Sequence, residues 1–337
     1  MAKQNKLMQY VQDFFRDYLA AQRGLSVNTI KTYRDSLKLF LKFIAFRKNK
    51  KVSKVTLDDL DTDNTVAFLK EIEKSRGNSI ATRNLRLASL KTFFAYLISQ
   101  DIFRSGKYQQ IMAVPLKRSP KPLIEYLEVD EVSAITQSIK RQDLNGERDY
   151  VILNLLYNTG ARVSEICNLK VEQIRFESPP LIAIVGKGQK LRHIPLWKET
   201  ATILYNYINR RNILDNPKAT IFLNARGKPL SRFGIRHIIQ ERAGKARCQC
   251  PSLAKKRIGP HTFRHTIAMH MLQSGVDLTV IKNWLGHVNL STTHNYIEID
   301  LEMKRKALAA CSPVAKSYNL KELIKENNDL ISWLESL

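Results

Sequence analysis

The stretch LIAIVGKGQKLRHIPL, residues 181–196, reads differently from everything around it. Leu181–Val185 is a short apolar, partly β-branched run. Gly186-Lys187-Gly188 follows as a glycine-containing turn, and Leu191–Leu196 forms a second run. Two such runs flanking a glycine turn predict an antiparallel hairpin. Working outward, apolar residues recur every three or four positions, the spacing of helices with one buried face. On the N-terminal side these are Leu127, Val132 and Ile135, then Val151 through Leu156; on the C-terminal side the pattern continues to about residue 310. The expected fold class is therefore mainly α, with one small antiparallel β-sheet in the second half of the chain.

Further out, Ala113–Leu123 holds Pro115, Pro120 and Pro122 beside Lys117, Arg118 and Lys121. Proline at that density cannot lie in a helix interior, so an extended basic linker is expected. Before it, residues 8–112 read as helical. Tyr33, Leu37, Phe40, Leu41 and Ile44 line one helix, with Ser26 or Asn28 to cap it. Leu85, Leu87, Leu90, Phe93, Phe94 and Leu97 line another, preceded by Ser79 and Thr82. Lys31, Arg34, Lys38, Arg83, Arg86 and Lys91 interleave with these faces, as a charged surface expected to be solvated or to contact phosphate. After Pro313, Leu320, Leu323, Ile324, Leu330, Ile331 and Leu334 make a last apolar stripe on a helix too short to stand alone in water.

A chain of 337 residues suggests two domains, and 44% hydrophobic with 26% charged residues is a globular composition. The charge is the unusual feature: 55 Lys and Arg against 31 Asp and Glu, a net +24. Residues 1–118 carry 23 basic and 10 acidic side chains and residues 119–318 carry 30 and 17, so each segment bears the same excess of +13. Both halves thus suit a polyanion, of which nucleic acid is the commonest. The first ten residues lack the apolar run of a signal peptide, and no stretch approaches the roughly 20 apolar residues of a membrane span. Four cysteines give no disulfide framework. The expected compartment is the reducing cytoplasm.

Five short segments carry candidate chemistry: Thr159-Gly160-Ala161-Arg162-Val163-Ser164-Glu165, Gly186-Lys187-Gly188-Gln189-Lys190, His261-Thr262-Phe263-Arg264-His265, Leu285-Gly286-His287 and Thr292-Thr293-His294-Asn295-Tyr296. Each alone has a bland reading: a structural arginine, a common turn, a chance i, i+3 pair, a surface tyrosine. Together they resemble the tyrosine recombinase (phage integrase) family, including its Xer-like and mobile-element members. The family pattern is an arginine, an acidic residue three positions on, a hairpin lysine, His-x-x-Arg, a second histidine or tryptophan, and a tyrosine. Arg162, Glu165, Lys187, His261, Arg264, His287 and Tyr296 fill it in order.

The resemblance covers residues 127 to about 300 and extends more loosely to 8–112. It implies a helical core-binding, DNA-binding domain over residues 1–112, a linker over 113–125 and a catalytic domain over 126–312. The tail over 313–337 would dock on its own domain or be exchanged between protomers. It further implies site-specific recombination through a 3′-phosphotyrosyl intermediate and a Holliday junction, for a mobile element or, alternatively, for Xer-type dimer resolution. The partners implied are double-stranded DNA with a specific site and three further copies in a synaptic tetramer, monomer or dimer off DNA, with an accessory factor open. No cofactor or metal is implied.

The residue types suit that chemistry on physical grounds. A phosphodiester is anionic, and its transition state gathers charge on the non-bridging oxygens. Two guanidiniums, Arg162 and Arg264, can present paired planar donors to them, which lysine cannot. Tyr296 is the expected nucleophile, Lys187 the acid for the leaving 5′-hydroxyl with Lys190 as the alternative on the same hairpin, and His261 the acceptor of the phenolic proton. His287 would hydrogen-bond the phosphate and help align Tyr296, and Glu165, one helical turn from Arg162, would orient the active-site side chains.

Arg247-Cys248-Gln249-Cys250-Pro251 departs from the compact Xer pattern. It reads as a surface loop ahead of a zinc site, for which His237 and Cys311 are the only loose further ligands. A type IB topoisomerase and a non-catalytic DNA-binding regulator are the rival classes. The first would need no specific site, and the second would not need all seven positions.

Overall fold

The computed structural model describes residues 6–119, 124–186 and 189–286. The chain divides into two compact units, Met1–Pro122 and Leu123–Leu337. No helix among the described residues is long and apolar enough to cross a membrane.

The first unit is all helix: α1 (Lys6–Asp13), continuing in wider π geometry over Phe14–Gln22, α2 (Val27–Arg47), α3 (Thr62–Lys74), α4 (Ile80–Gln100) and α5 (Ser105–Met112). The two long helices start at serine caps. Ser26 accepts from the Thr29 N–H and Ser79 from the Thr82 N–H, which satisfies one of the amides a helix start leaves open. Leu37, Phe40 and Ile44 face Leu87, Leu90, Phe93, Phe94 and Leu97 in one core, with Phe14 edge-on to Phe93 at 5.0 Å.

Two expectations fail in this unit. Leu85 does not join the α4 stripe but is 55% exposed. Arg83 is not a surface cation: it lies buried against Glu73 at 3.3 Å and donates to the Pro115 carbonyl. Its position on α4 is in phase with Leu87 and Leu90, so the helix turns it inward. The start of the basic segment beyond α5 packs on this unit. Val114 enters the core, while Asn84 and Lys117 exchange two hydrogen bonds of 2.8 and 3.1 Å.

The second unit surrounds α7 (Leu144–Thr159), where Val151, Ile152, Leu153, Leu155 and Leu156 are all fully buried. Buried apolar residues over more than half of its circumference place this helix deep in the unit. Around it lie α6 (Val129–Gln137), α8 (Val163–Cys167), α9 (Lys198–Arg210), α10 (Arg232–Ala246), α11 (Pro260–Gln273) and α12 (Leu278–Leu285). The sheet has three strands, not two: β1 (Ile174–Arg175), β2 (Leu181–Val185) and β3 (Leu191–Pro195), antiparallel throughout. Two residues are too few to leave a pattern in sequence, which is why β1 was not foreseen. In the β2–β3 register Ile182 opposes Ile194 and Ile184 opposes Arg192, so the face that buries three isoleucines also turns an arginine inward. Buried Asp149 on α7 pairs with Arg148 at 2.8 Å and with Arg242 of α10 at 2.5 Å, tying the two helices together.

Candidate active site

Helix α7 stops because Gly160 takes φ +58°, a left-handed turn that glycine adopts without strain. The chain restarts at Arg162, which precedes α8. The Arg162 N–H, open at a helix start, donates to Glu165 Oε2 at 2.7 Å, and its Nη1 donates to Glu165 Oε1 at 3.1 Å. The i, i+3 spacing thus closes a small ring between the two residues. Glu165 also receives a second cation, Arg192 of β3, through Nη1 at 3.2 Å and Nη2 at 2.7 Å. Burial would raise the Glu165 pKa, but the Arg192 hydrogen bonds and charge, then Arg162, outweigh it and hold the carboxyl below its usual value.

Arg264 sits one turn into α11 and is only 4% exposed. Its Nη1 donates to the Gly160 carbonyl and its Nη2 to the Leu285 carbonyl, both at 2.6 Å. These carbonyls lie at the C-terminal ends of α7 and α12, where the partial negative charge of a helix collects. Helix α12 then shows a repeated device. Its last carbonyls have no partner within the helix, and arginines take them in turn: Arg192 Nε to Trp284 at 3.1 Å, Arg264 to Leu285, and Arg162 Nη2 to Gly286 at 3.4 Å. Three guanidiniums from three separate elements therefore meet at one helix end, beside the residue that precedes His287.

His261 opens the exposed start of α11. Desolvation by the protein behind it, then the charges of Arg264 and Arg162, hold its imidazole below the usual value, so it is neutral near pH 7 and able to accept a proton. Its neighbour His265 is pushed down to about 4 by burial first and then by His261 and Arg264. Beside His261 lies a basic trough of about 930 Å³ whose walls include Arg232, Arg236, Arg247 and Arg257 with the exposed ring of Phe233.

Of the sequence-derived candidates, the fold gathers Arg162, Glu165, Arg264 and His261. Lys187, His287 and Tyr296 lie outside the described residues, as do Cys311 and the 313–337 stripe. Gly186, next to Lys187, lines a pocket of about 400 Å³ with Arg162 and Glu165. Lys190 is exposed, and its carbonyl closes the hairpin turn by accepting from the Gly186 N–H at 2.9 Å. Cys248 is exposed and Cys250 half-buried. Among the described residues no three potential ligands converge as a metal site. The residue that sequence reasoning missed is Arg192. Its signal was phase: it stands two positions before Ile194, on the buried side of an alternating strand, where a charge needs a partner.

Comparison with known proteins now adds to this geometry. Residues 125–303 match the phage integrase family, and residues 12–101 match the phage integrase N-terminal SAM-like domain. The chain is 35% identical over its whole length, and the relative's, to an integrase/recombinase of Sinorhizobium fredii. It is 32% identical to the tyrosine recombinase XerC of Staphylococcus carnosus, over 92% of this chain and 99% of that one. Among solved structures, the XerH recombinase bound to palindromic difH substrate shares the fold with a TM-score of 0.68 at 21% identity, covering 92% of this chain and 90% of the other. The Tn1549 transposon integrase with transposon right end DNA shares it at 0.70 and 18% identity, covering 90% and 98%.

Proposed function

Since the chain belongs to the phage integrase family and is a tyrosine recombinase, an enzyme of site-specific DNA strand cleavage and rejoining, we propose that Tyr296 is its nucleophile and that Arg162, Arg264, His261, His287 and Lys187 serve the phosphate it attacks. One observation carries this reading: Arg162 and Arg264 are anchored on the consecutive carbonyls of Gly286 and Leu285, directly before His287 in the chain.

The phenol oxygen of Tyr296 attacks phosphorus while its proton passes to neutral His261. A phosphorus–oxygen bond to tyrosine forms, giving a 3′-phosphotyrosyl link, and the bond to the 5′-oxygen breaks. Lys187 protonates the departing 5′-oxygen; Lys190, on the same hairpin, is the alternative donor. The two guanidiniums, and the hydrogen bond of His287, stabilise charge on the non-bridging oxygens, where removing one such donor typically costs roughly 10²–10³ in rate. Rejoining runs the same steps backward from a new 5′-hydroxyl, with the bond energy stored on tyrosine, and two rounds pass through a Holliday junction. Glu165 holds Arg162, and with it Arg192, and touches no reacting atom.

The substrate is duplex DNA with a specific site, contacted by residues 1–112 and by the basic trough beside His261. Four copies assemble at synapsis, with residues 313–337 lent to a neighbour; deleting them is expected to abolish synapsis and spare half-site binding. Recombination on behalf of a mobile element is the favoured role, supported by the Cys248–Cys250 segment before α11 and the apolar stripe over residues 313–337. Sequencing DNA captured covalently on the enzyme in cells distinguishes it from chromosome dimer resolution. The test of the chemistry is a suicide duplex carrying that captured site. Wild type accumulates a covalent protein–DNA adduct and Tyr296→Phe accumulates none; adduct formed by the phenylalanine variant would overturn the assignment.

A further inference from the structure

We infer that Arg192 is a positioning residue for strand cleavage, locking the root of the β2–β3 hairpin to Glu165 and to the end of α12 so that the hairpin turn is held for proton donation. The inference rests on the reading that a hairpin lysine is the general acid.

Arg192 is nearly buried, with 10% of its side chain exposed, and its partner Glu165 shows 6%. All three of its nitrogens are engaged: two on the Glu165 carboxylate and one on the Trp284 carbonyl. Each nitrogen is thus committed to the protein, as suits a residue that acts through others. The links close on themselves, because Glu165 also holds Arg162, and Arg162 returns to α12 at Gly286. Arg162 keeps its own bonds to Glu165 and Gly286 when Arg192 is changed, so the effect of Arg192 falls on the root of the hairpin.

The packing around the guanidinium points to the hairpin in particular. A Cβ at Gly186 would stand 3.0 Å from Arg192 Nη1, and a Cβ at Gly286 would stand 3.2 Å from the same atom. Arg192 is thus wedged between two residues without side chains. One directly precedes Lys187 and the other directly precedes His287. Gly186 shows no left-handed φ, so its need for glycine is the close approach alone. An ion pair kept only for stability could form anywhere on β3. This one sits at the strand position opposite Ile184, next to the turn, with Nη1 close to Gly186.

The test compares cleavage rates on two suicide substrates, one with an ordinary 5′-oxygen and one with a 5′-sulfur leaving group, which departs without a proton donor. Arg192→Lys keeps the charge but cannot make the forked contact and the carbonyl bond together. With half-site binding unchanged, Arg192→Lys is expected to cleave the oxygen substrate about 10²-fold slower, the size of loss a misplacement near 1 Å produces. On the sulfur substrate it should stay within about threefold of wild type. Equal loss on both substrates, or no loss on either, overturns the inference. Gly186→Ala, which crowds Arg192 while leaving the ion pair, should show the same selective loss at about tenfold and serves if Arg192→Lys fails to fold. Lys187→Ala run alongside tests the acid itself. If sulfur rescues Arg192→Lys but not Lys187→Ala, the acid is another hairpin group and Arg192 keeps its role.

Discussion

Replacing Gly160 by alanine strikes the hub of the site without removing a single polar group. The residue holds φ +58°, which costs an alanine about 1–2 kcal/mol. Its new Cβ would stand 2.6 Å from Leu285 Cδ2 and 2.9 Å from Ile267 Cγ2. Ordinary contact begins near 3.4 Å, so Leu285 would have to retreat by about 0.8 Å. Leu285 is fully buried and Ile267 5% exposed, so little free space receives them, and overpacking of this kind typically adds about 1–3 kcal/mol. The total is about 2–5 kcal/mol, which in a unit of this size lowers the melting temperature by roughly 2–4 °C per kcal/mol. The same displacement moves both oxygens that hold Arg264, those of Gly160 and Leu285, so single-turnover cleavage should fall about 10²-fold. Gly227→Ala separates the two contributions: its φ is +70° with nothing within 4 Å of the added carbon, so it should lose only the backbone part and keep full activity. Calorimetry and suicide-substrate cleavage read both. A Gly160→Ala protein that melts within 2 °C of Gly227→Ala and cleaves within threefold of wild type would refute this account of how Arg264 is held.

Two further outcomes follow from buried charge. Asp149→Ala leaves the guanidiniums of Arg148 and Arg242, 12% and 15% exposed, without their shared counter-ion, and should cost about 3–5 kcal/mol in urea unfolding; disrupting the exposed pair of Glu241 and Lys245 should stay within about 0.5 kcal/mol, and equal effects would count against the burial argument. The folded chain holds His265 at about 4 against an ordinary value of 6.5, so between those values the unfolded chain binds a proton that the folded chain refuses. Stability is full above pH 6.5 and lost as pH falls toward 4, by up to about 3 kcal/mol from this residue. His265→Asn should flatten that slope between pH 7.5 and 5, and an unchanged slope would place the titration elsewhere.

How much of this was legible beforehand depended on range along the chain. Ser26 and Ser79 announced their helices because a cap and the amide it serves are three residues apart. Arg162 with Glu165 and His261 with Arg264 were legible for the same reason, each pair sharing one helical turn. Arg83 and Leu85 were misjudged because which residues of a helix face inward is settled by neighbours from distant segments. Arg192 was overlooked although its strand was found: its partners stand 27 residues away at Glu165 and 92 away at Trp284. The carbonyls of Trp284, Leu285 and Gly286 could not have been read at all, since a backbone acceptor has no letter in the sequence.

Those carbonyls explain how a site for a phosphate can hold several cations close together before any phosphate arrives. Gathering nearly buried Arg192 and Arg264 with half-buried Arg162 is unfavourable unless each meets negative charge. One carboxylate, Glu165, serves two of them, and helix ends supply the remaining charge as oriented dipoles. A second carboxylate would have neutralised the group more fully, but it would also have repelled the anionic substrate. A carbonyl oxygen attracts the guanidinium with a partial charge only, so the positive potential that binds a phosphodiester survives. A guanidinium has five N–H donors in one plane, and so can keep one edge on such oxygens while another faces an incoming one. The arginines are thus oriented during folding, and little reorganisation is left for the transition state. The helix end that orients them is also the point from which the chain continues to His287 and Tyr296.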